Sequence, residues 1–306
     1  MTESLERIIK PQMPNPGKPR LHHYFPQFHL AYFANEKRQL WCFDKAGRLN
    51  PNPKKIPPAS LAAEARLYDD DAPDAALEGV EEWLAETVDG PASTAIRKVA
   101  AKQDITSAER EDLGRYVMAR DLRTPATRDF VMKAAQTGLE GEYDARTADT
   151  AALRAAILED SGVELSDEDI RTLAAEYRPV VTKGLWLDFL RTQTVKAMPR
   201  LLAKGWTLIH AEEGTEFLTS DVGILKHHGA WDRPGPNAPG WWTNADCWLM
   251  PLTPRLILAM APGLLPQEKL AQRVYVDLFN RNVVSYACEF VFASSENELR
   301  RALDAL

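Results

Sequence analysis

The pattern of apolar and polar positions divides the chain into two strand-rich regions separated by a long helical one. Apolar residues fill positions 40–43 (LWCF), and turn residues follow them, which predicts a strand from Gln39 to Asp44. From about residue 59 to 203, Ala, Leu and charged residues dominate and β-branched runs are scarce, as in helices. Sheet-forming regions are predicted at about 21–50 and 205–262.

Capping signals predict where several of the middle helices begin. Thr106 followed by Glu109 forms a capping-box pattern, in which each residue's side chain satisfies the other's backbone N–H. Thr124 followed by Pro125 predicts a second N-cap, with proline in the first turn, where its missing N–H costs nothing. Another start is predicted at Ser166, and a longer helix is predicted over residues 183–203.

After Gly205 the pattern returns to strands. The runs WTLIHA at 206–211 and EFLT at 216–219 predict a hairpin around a short loop that contains glycine. Two more strands are predicted at 247–250 and 256–260, and helices at 267–287 and 296–306.

Because strands and helices are segregated along the chain, we predict an α+β fold rather than a regularly alternating α/β sheet. The predicted domain covers residues 21–306, with the helical region packed against a small, mainly antiparallel sheet formed by N-terminal and C-terminal strands. Residues 1–20 contain four prolines and predict a flexible lead-in. The sequence leaves the oligomeric state open.

Charge and cysteine usage restrict the environment of the protein and its partners. The formal net charge of -7 predicts a surface that repels nucleic acid and anionic membrane, so any contact with nucleic acid has to be local. Three widely separated cysteines indicate reduced thiols and a cytoplasmic location. Prolines and an arginine interrupt the most apolar region, residues 248–265, and no membrane-spanning helix is predicted.

Two adjacent pairs, His22–His23 and His227–His228, account for four of the six histidines. A divalent metal is possible because neutral imidazole is a common ligand. Adjacent histidines on a strand point to opposite faces, however, and no H-x-H or H-x-x-x-H spacing is present. The alternative is a hydrogen-bonded, partly buried histidine at position 22 or 23.

Three arginines, Arg120, Arg123 and Arg128, surround the Thr-Pro pair. Guanidinium groups at this density can clamp a phosphate, assisted by the N–H groups at the start of the following helix. Asp121 and Asp129 each follow one of these arginines directly in the sequence, and intramolecular ion pairing is the favoured alternative.

The triplet Thr219-Ser220-Asp221 follows directly on a predicted strand, a position that suits either functional residues or an Asx or ST turn. Tryptophans near a Pro/Gly loop predict a binding pocket or a cover over the core; they are Trp231, Trp241, Trp242 and Trp248. The chain has no G-x-S-x-G, P-loop or G-x-G-x-x-G motif, which weighs against common hydrolase, kinase and dehydrogenase functions.

Four pieces of the sequence stand out by their order and spacing, HHYFPQFHLAYFA at 22–34, ARDLRTP at 119–125, EFLTSD at 216–221 and MPLTPRLIL at 250–258. In this order they resemble the bacterial domain of unknown function 4238. The tail NRNVVSYACEFVFA at 280–293 looks like that family's closing helix, so the resemblance runs from His22 to about Ala293. It places His22, Pro26, Arg123, Thr124, Pro125, Ser220 and Asp221 in recurrent motifs. Val222-Gly223 stands where such proteins tend to have Asn-Pro, which predicts a different local turn.

If these motifs converge, His22, Arg123, Ser220 and Asp221 form a catalytic set for cutting a phosphodiester. His22 is the base or metal ligand, and Arg123 stabilises charge on the phosphate. Three further residues, His23, Arg120 and Arg128, are then expected to bind substrate. This predicts a nuclease-like or other phosphate-processing enzyme, with bacterial defence as one setting. The alternative is a non-catalytic module in which the same side chains are structural.

Overall fold

The helices of the middle region pack against strands from both ends of the chain. The computed structural model describes residues 21–47, 52–69, 79–227, 247–263 and 266–306. In chain order its strands are β1 (Leu21–His23), β2 (Leu40–Asp44), β3 (Lys54–Ile56), β4 (Ala63–Ala65), β5 (Gly205–Ala211), β6 (Thr219–Ser220), β7 (Leu225–His227), β8 (Cys247–Thr253), β9 (Leu256–Ala261), β10 (Glu268–Ala271) and β11 (Phe290–Ala293).

The helical elements follow the predicted distribution. The α-helices are α1 (Gln27–Leu30), α2 (Val80–Trp83), α3 (Gly90–Ala100), α4 (Ser107–Leu122), α5 (Pro125–Thr147), α6 (Thr150–Ser161), α7 (Asp167–Glu176), α8 (Lys183–Leu202), α9 (Arg273–Tyr286) and α10 (Glu296–Asp304). A π-helical segment, Leu84–Asp89, joins α2 to α3. The fold is α+β, as predicted.

The strands form a two-stranded, a four-stranded and a five-stranded sheet. Strand β1 pairs with β4, the four-stranded order is β3-β2-β11-β6, and the five-stranded order is β10-β5-β9-β8-β7. All pairs are antiparallel except β10 with β5. The four-stranded sheet therefore combines N-terminal with C-terminal strands, as expected, whereas the other two each draw on one end of the chain.

The five-stranded sheet is covered on both faces. Alternate residues of β8, among them Trp248 and Met250, belong to the core shared with the middle helices. Leu249, which lies between them, belongs with Ile257 of β9 to a second core that includes α9 and α10. Successive side chains of a strand point to opposite faces, so burial on both faces explains the continuous apolar runs in these strands.

The capping predictions are confirmed. Thr106 and Glu109 exchange the two capping-box hydrogen bonds at the start of α4, and the Thr124 side chain accepts from Thr127 N at the start of α5. Ser166 forms a second capping box with Asp169 at α7. These signals succeed because both partners lie within one helical turn.

Four local predictions are wrong. Segment 216–219 does not form a hairpin with β5, because Phe217 N donates to Pro254 O and β6 pairs with β11 in another sheet. The helix predicted at 267–287 begins instead as strand β10. The tail 280–293 is the end of α9 followed by strand β11, not a single helix. Within the predicted helical region, residues 63–65 form a strand.

Some expectations lie outside the described residues, namely those on the lead-in 1–20, His228, Trp231, Trp241 and Trp242. The fourth tryptophan, Trp248, is buried in the core. Within the described ranges, the helices are too short or too polar to cross a membrane.

Candidate functional site

The turn between α4 and α5 places two of the predicted arginines inside the protein. Arg123 is the C-cap residue of α4 and Thr124 is the N-cap of α5, so the chain changes direction within two residues. Arg120 lies one turn before Arg123 on the helix, and their side chains are 0% and 1% exposed. Residues three apart on a helix share a face, which explains why both side chains enter the same interior region.

Arg120 binds the backbone of the Thr-Ser-Asp motif. Its Nη2 donates to the carbonyl oxygens of Asp221 at 2.8 Å and Ser220 at 3.4 Å. The guanidinium also lies over the Phe25 ring, 3.9 Å from the centroid. Burial lowers the pKa of Arg120 to about 10, which leaves it positively charged at neutral pH.

Gly223 makes room for this arrangement. Its φ is +73°, and a Cβ atom there would lie 2.5 Å from Nη2 of Arg120. Proline cannot adopt this φ, because its ring fixes φ near −65°. The turn after Asp221 therefore differs from one with proline at position 223, as the Val222-Gly223 departure predicts.

The carboxylate of Asp221 is occupied by backbone N–H groups. Oδ1 accepts from Val222 N at 3.0 Å and from Cys288 N at 3.1 Å, and Oδ2 accepts from Glu289 N at 2.6 Å. Asp221 is 5% exposed. Burial raises the pKa of Asp221, while the N–H groups of Glu289 and Cys288 act in the opposite direction. Asp221 thus ties β6 to the residues that precede β11.

Ser220 is also buried, at 2% exposure, and its Oγ accepts from Gly223 N at 3.4 Å. A hydroxyl in this position stabilises the turn and lies away from solvent. In the described part of the chain the Ser220 hydroxyl makes no hydrogen bond to the Asp221 carboxylate, whose two oxygens accept backbone N–H groups.

Arg123 is paired with Asp89, the last residue of the π-helical segment. Its Nη1 lies 3.0 Å from Oδ1 and 3.1 Å from Oδ2 of that carboxylate. The guanidinium is also 5.5 Å from the centroid of the Tyr116 ring. Burial is the largest single influence and lowers the pKa of Arg123, but Asp89, Tyr68 and Tyr116 together outweigh it and the net shift is upward.

His22 lies on β1 and is 1% exposed. Its Nδ1 accepts from Tyr68 N at 2.8 Å, which assigns the ring proton to Nε2. Nε2 lies 3.6 Å from Asp69 Oδ1 and 3.5 Å from Glu81 Oε2. The ring also stacks on Tyr68, with centroids 5.4 Å apart. With Nδ1 accepting and Nε2 protonated, the imidazole in this arrangement has no vacant lone pair with which to act as a base.

The remaining two predicted substrate-binding residues lie at the partly exposed margin. His23 Nε2 is 3.2 Å from Ala59 O, and burial lowers the pKa of this histidine. Arg128 is 17% exposed and lies 2.5 Å from Glu64 and 2.8 Å from Asp129. Its charge is therefore shared between two carboxylates.

The structure brings Arg120, Ser220 and Asp221 into direct contact, and it brings His22 and Arg123 to a common neighbour, Tyr68. His22 stacks on that ring, and the charge of Arg123 acts on its hydroxyl, although burial is the larger influence and raises the pKa of Tyr68. We call the five predicted residues (His22, Arg120, Arg123, Ser220, Asp221) and their direct partners the motif network. It is a buried network, with its predicted members between 0% and 5% exposed.

Two buried groups that the sequence reasoning missed complete this region. His29 Nε2 donates to Pro251 O at 2.8 Å, so its Nδ1 accepts from the Tyr116 hydroxyl at 2.7 Å. Burial and the charge of Arg120 lower the pKa of His29 to about 3. Lys226 Nζ lies 2.6 and 2.7 Å from the two oxygens of Asp121. For His29 and Lys226, the sequence offered only the residue type as a signal, because the partners of both side chains are distant in the chain.

A cavity of about 280 Å³ lies beside the motif network. Its lining combines four of the five sequence pieces that carry the family resemblance, and consists of Tyr24, Thr124, Pro125, Ala126, Asp129, Asp221, Val222, Cys288 and Glu289. Three of these residues are acidic, and none of the described lining residues is lysine or arginine. Such a lining disfavours a phosphate. Within the described ranges, no group of three or more His, Cys, Asp or Glu side chains is arranged to hold a metal ion.

Comparison with known proteins gives a family and no function. The model of the family described as "Protein of unknown function (DUF4238)" matches residues 21–297. No curated protein and no solved structure matches the chain.

Proposed function

The chain belongs to the DUF4238 family, and from the geometry of its motif residues we propose that it is a non-catalytic binding module. In this proposal the His, Arg, Ser and Asp motifs are structural, and they hold together elements that are distant in sequence. One observation carries the proposal: two of the groups that the phosphodiester hypothesis uses, the Asp221 carboxylate and the Arg120 guanidinium, are buried and bound to backbone.

The charge balance of the interior supports a structural role. Arg120, Arg123 and Lys226 are accompanied by Asp89, Asp121 and Asp221, so three positive groups accompany three negative ones. A buried site for phosphate instead requires an excess of positive charge, because an isolated buried anion is strongly disfavoured. The acidic lining of the adjacent cavity points the same way.

A second candidate is the phosphate-processing enzyme, and one observation favours it. Nε and Nη1 of Arg120 and Nε and Nη2 of Arg123 have no hydrogen-bond partner among the described residues. Buried guanidinium N–H groups in this state are suited to an anion. Under the leading proposal, the contacts of the two guanidinium groups with the rings of Phe25 and Tyr116 compensate in part for these missing hydrogen bonds.

A hydrolysis assay with a variant that keeps the fold separates the two candidates. The purified protein is incubated with labelled single-stranded RNA, DNA and a phosphodiester dye substrate, with Mg²⁺ or Mn²⁺ and with chelator. Ser220→Ala is the informative variant, because its hydroxyl accepts only one long hydrogen bond, at 3.4 Å. The non-catalytic module predicts no cleavage above buffer.

His22→Ala and Asp221→Ala are made alongside, and each is compared by circular dichroism and urea unfolding. Asp221→Ala is expected to lose about 3 kcal/mol, because backbone N–H groups lose a buried acceptor. Cleavage by the wild type that disappears in a folded Ser220→Ala or His22→Ala protein would support the enzyme and reject the module.

A further inference from the structure

The net charge of the protein is concentrated in one helical segment, residues 129–180, which we call the acidic arm. It contains twelve of the 44 Asp and Glu residues but five of the 37 Lys and Arg residues, so its formal charge is -7. The rest of the chain has 32 of each and is balanced. The arm comprises α5 from its second turn onward, α6, α7 and the turn that follows.

The arm also exposes an unusual share of large apolar side chains. Six of the thirteen exposed large hydrophobic residues in the described ranges lie in it, and they are Phe130 43%, Leu158 46%, Val163 50%, Leu173 36%, Tyr177 70% and Val180 77%. Leu173 lies in the last turn of α7 and Tyr177 is the C-cap residue, so the two are one helical turn apart, whereas Val180 lies in the non-helical segment that follows. In the arm, α6 buries no residue and α7 buries one, Ile170.

Contacts within the arm hold this surface in place. The Tyr143 hydroxyl of α5 donates to Ala174 O of α7 at 2.9 Å, and Gln136 of α5 donates to Pro179 O at 3.2 Å. Arg178 pairs with Asp144 of α5. The apolar residues around Tyr177 are therefore presented from a segment that is hydrogen-bonded to a long helix, rather than from a mobile tail.

Several acidic side chains remain directed to solvent. Three of the arm's five basic residues form ion pairs with carboxylates of the arm itself, namely Arg146–Glu142, Arg154–Asp167 and Arg178–Asp144. Glu159, Asp160, Glu164 and Glu168 are exposed, and no ion pair engages them in the described parts of the chain. The same segment therefore exposes both large apolar side chains and carboxylates without an ion pair among the described residues, and a partner has to match both.

We propose that the acidic arm docks a basic amphipathic segment of another protein, with its apolar side chains against the exposed Leu173, Tyr177 and Val180 and its Lys or Arg groups against the carboxylates of the arm. Nucleic acid is excluded as the occupant by the sign of the charge. A second copy that paired arm to arm would bring -7 against -7, so charge complementarity selects a basic partner. This inference rests on the proposed function in one respect: the docked segment is the partner of the proposed binding module.

The test uses the full chain and a labelled helical peptide of about 18 residues built from Leu and Lys, with fluorescence anisotropy at low and high salt. Two control peptides carry Glu in place of Lys or Ser in place of Leu. We expect the Leu/Lys peptide to bind, the Glu peptide not to bind, and the Ser/Lys peptide to bind about tenfold more weakly. Affinity should fall with added salt, since the contacts lie at the surface.

Two protein variants locate the site. Tyr177→Ser with Val180→Ser should weaken binding by about tenfold. The matched control, Leu270→Ser with Tyr275→Ser, removes two apolar side chains of similar exposure, 65% and 62%, from outside the arm and should change the affinity by less than about twofold. Circular dichroism checks that both variants fold.

Three outcomes would overturn the proposal: no binding of the Leu/Lys peptide, equal binding of the Ser/Lys peptide, or equal losses in the two variants. Light scattering that showed a dimer dissociated by the Tyr177/Val180 variant would assign the surface to a second copy instead. The hydrolysis assay is independent of all these readouts. A negative result in the binding assay therefore rejects the docking surface without rejecting the non-catalytic module, which the hydrolysis assay tests.

Discussion

The motif network and the acidic arm place charged residues under opposite conditions. In the network, the charges are buried and each lies beside a compensating group, as Arg123 does beside Asp89 at 3.0 Å. In the arm, a net charge of -7 is tolerated because water solvates it. Interior charge must be paired locally, whereas surface charge can accumulate and become a recognition feature.

The same contrast separates the apolar side chains. Around the network, large residues such as Phe25 and Tyr116 are fully buried and pack against the guanidinium groups. In the arm, Tyr177 and Val180 are more than two-thirds exposed. The network should thus respond to substitution through stability, and the arm through binding.

The largest expected effect is on the buried ion pair. Lys226→Met leaves the Asp121 carboxylate, 4% exposed, without its cation and should cost about 3–5 kcal/mol of unfolding free energy. Adding Asp121→Leu removes the uncompensated charge and should restore most of the loss. Urea unfolding of the double-mutant cycle measures both. Additive losses would show that the two groups are not coupled.

The second effect is a pH dependence caused by His29. Its pKa is about 3 in the folded protein and near 6.5 when unfolded, so only the unfolded state takes up this proton between those values. The contribution of His29 to the free energy of unfolding is fully present above pH 6.5 and is lost as pH falls. At pH 4 the loss is about 3 kcal/mol.

His29→Gln tests this dependence, because an amide can still donate to Pro251 O and accept from Tyr116. Unfolding free energies at about pH 7, 5.5 and 4 should decline less steeply in this variant than in the wild type. Phe33→Leu is the control, since it destabilises the same region without removing a titrating group and should keep the wild-type slope. Equal slopes in all three proteins would contradict the assignment.

A smaller effect is expected at the turn that follows Asp221. Gly223→Ala forces a positive φ on a residue with a side chain and brings its Cβ against Arg120, at a cost of about 2–3 kcal/mol. Gly214→Ala is the matched control, because its φ is +72° but no atom lies within 4 Å of the position that a Cβ would take. It should cost about 1 kcal/mol. Thermal unfolding compares them, and identical losses would remove the proposed role of the Arg120 contact.

The smallest effect is expected in the arm. Tyr177→Ser with Val180→Ser should change the unfolding free energy by no more than about 0.5 kcal/mol, because neither side chain is buried. Ile170→Ala, in the same arm but 1% exposed, should cost about 2–4 kcal/mol. If the double variant were as destabilising as Ile170→Ala, Tyr177 and Val180 would be part of the core rather than of a docking surface.

Sequence reasoning recovered the α+β class, the capped helix starts and the presence of strands β8 and β9. It wrongly predicted segment 216–219 as half of a hairpin with β5. In the structure, β6 pairs instead with β11, which lies about 70 residues later in the chain. It also misread residues 268–271, whose pairing with β5 is decided by the sheet edge rather than by local composition.

What the sequence determined by itself is local: a capping box, a Thr-Pro helix start or an apolar run contains both partners of the interaction within a few residues. Only the tertiary structure decided how the motif residues are used. Arg123 pairs with Asp89, 34 residues away, and Asp121 pairs with Lys226, 105 residues away, rather than with its neighbour Arg120. Adjacent residues on a helix point in different directions, so the partner of a buried charge is set by which distant elements pack against that face, and that geometry exists only in the folded chain.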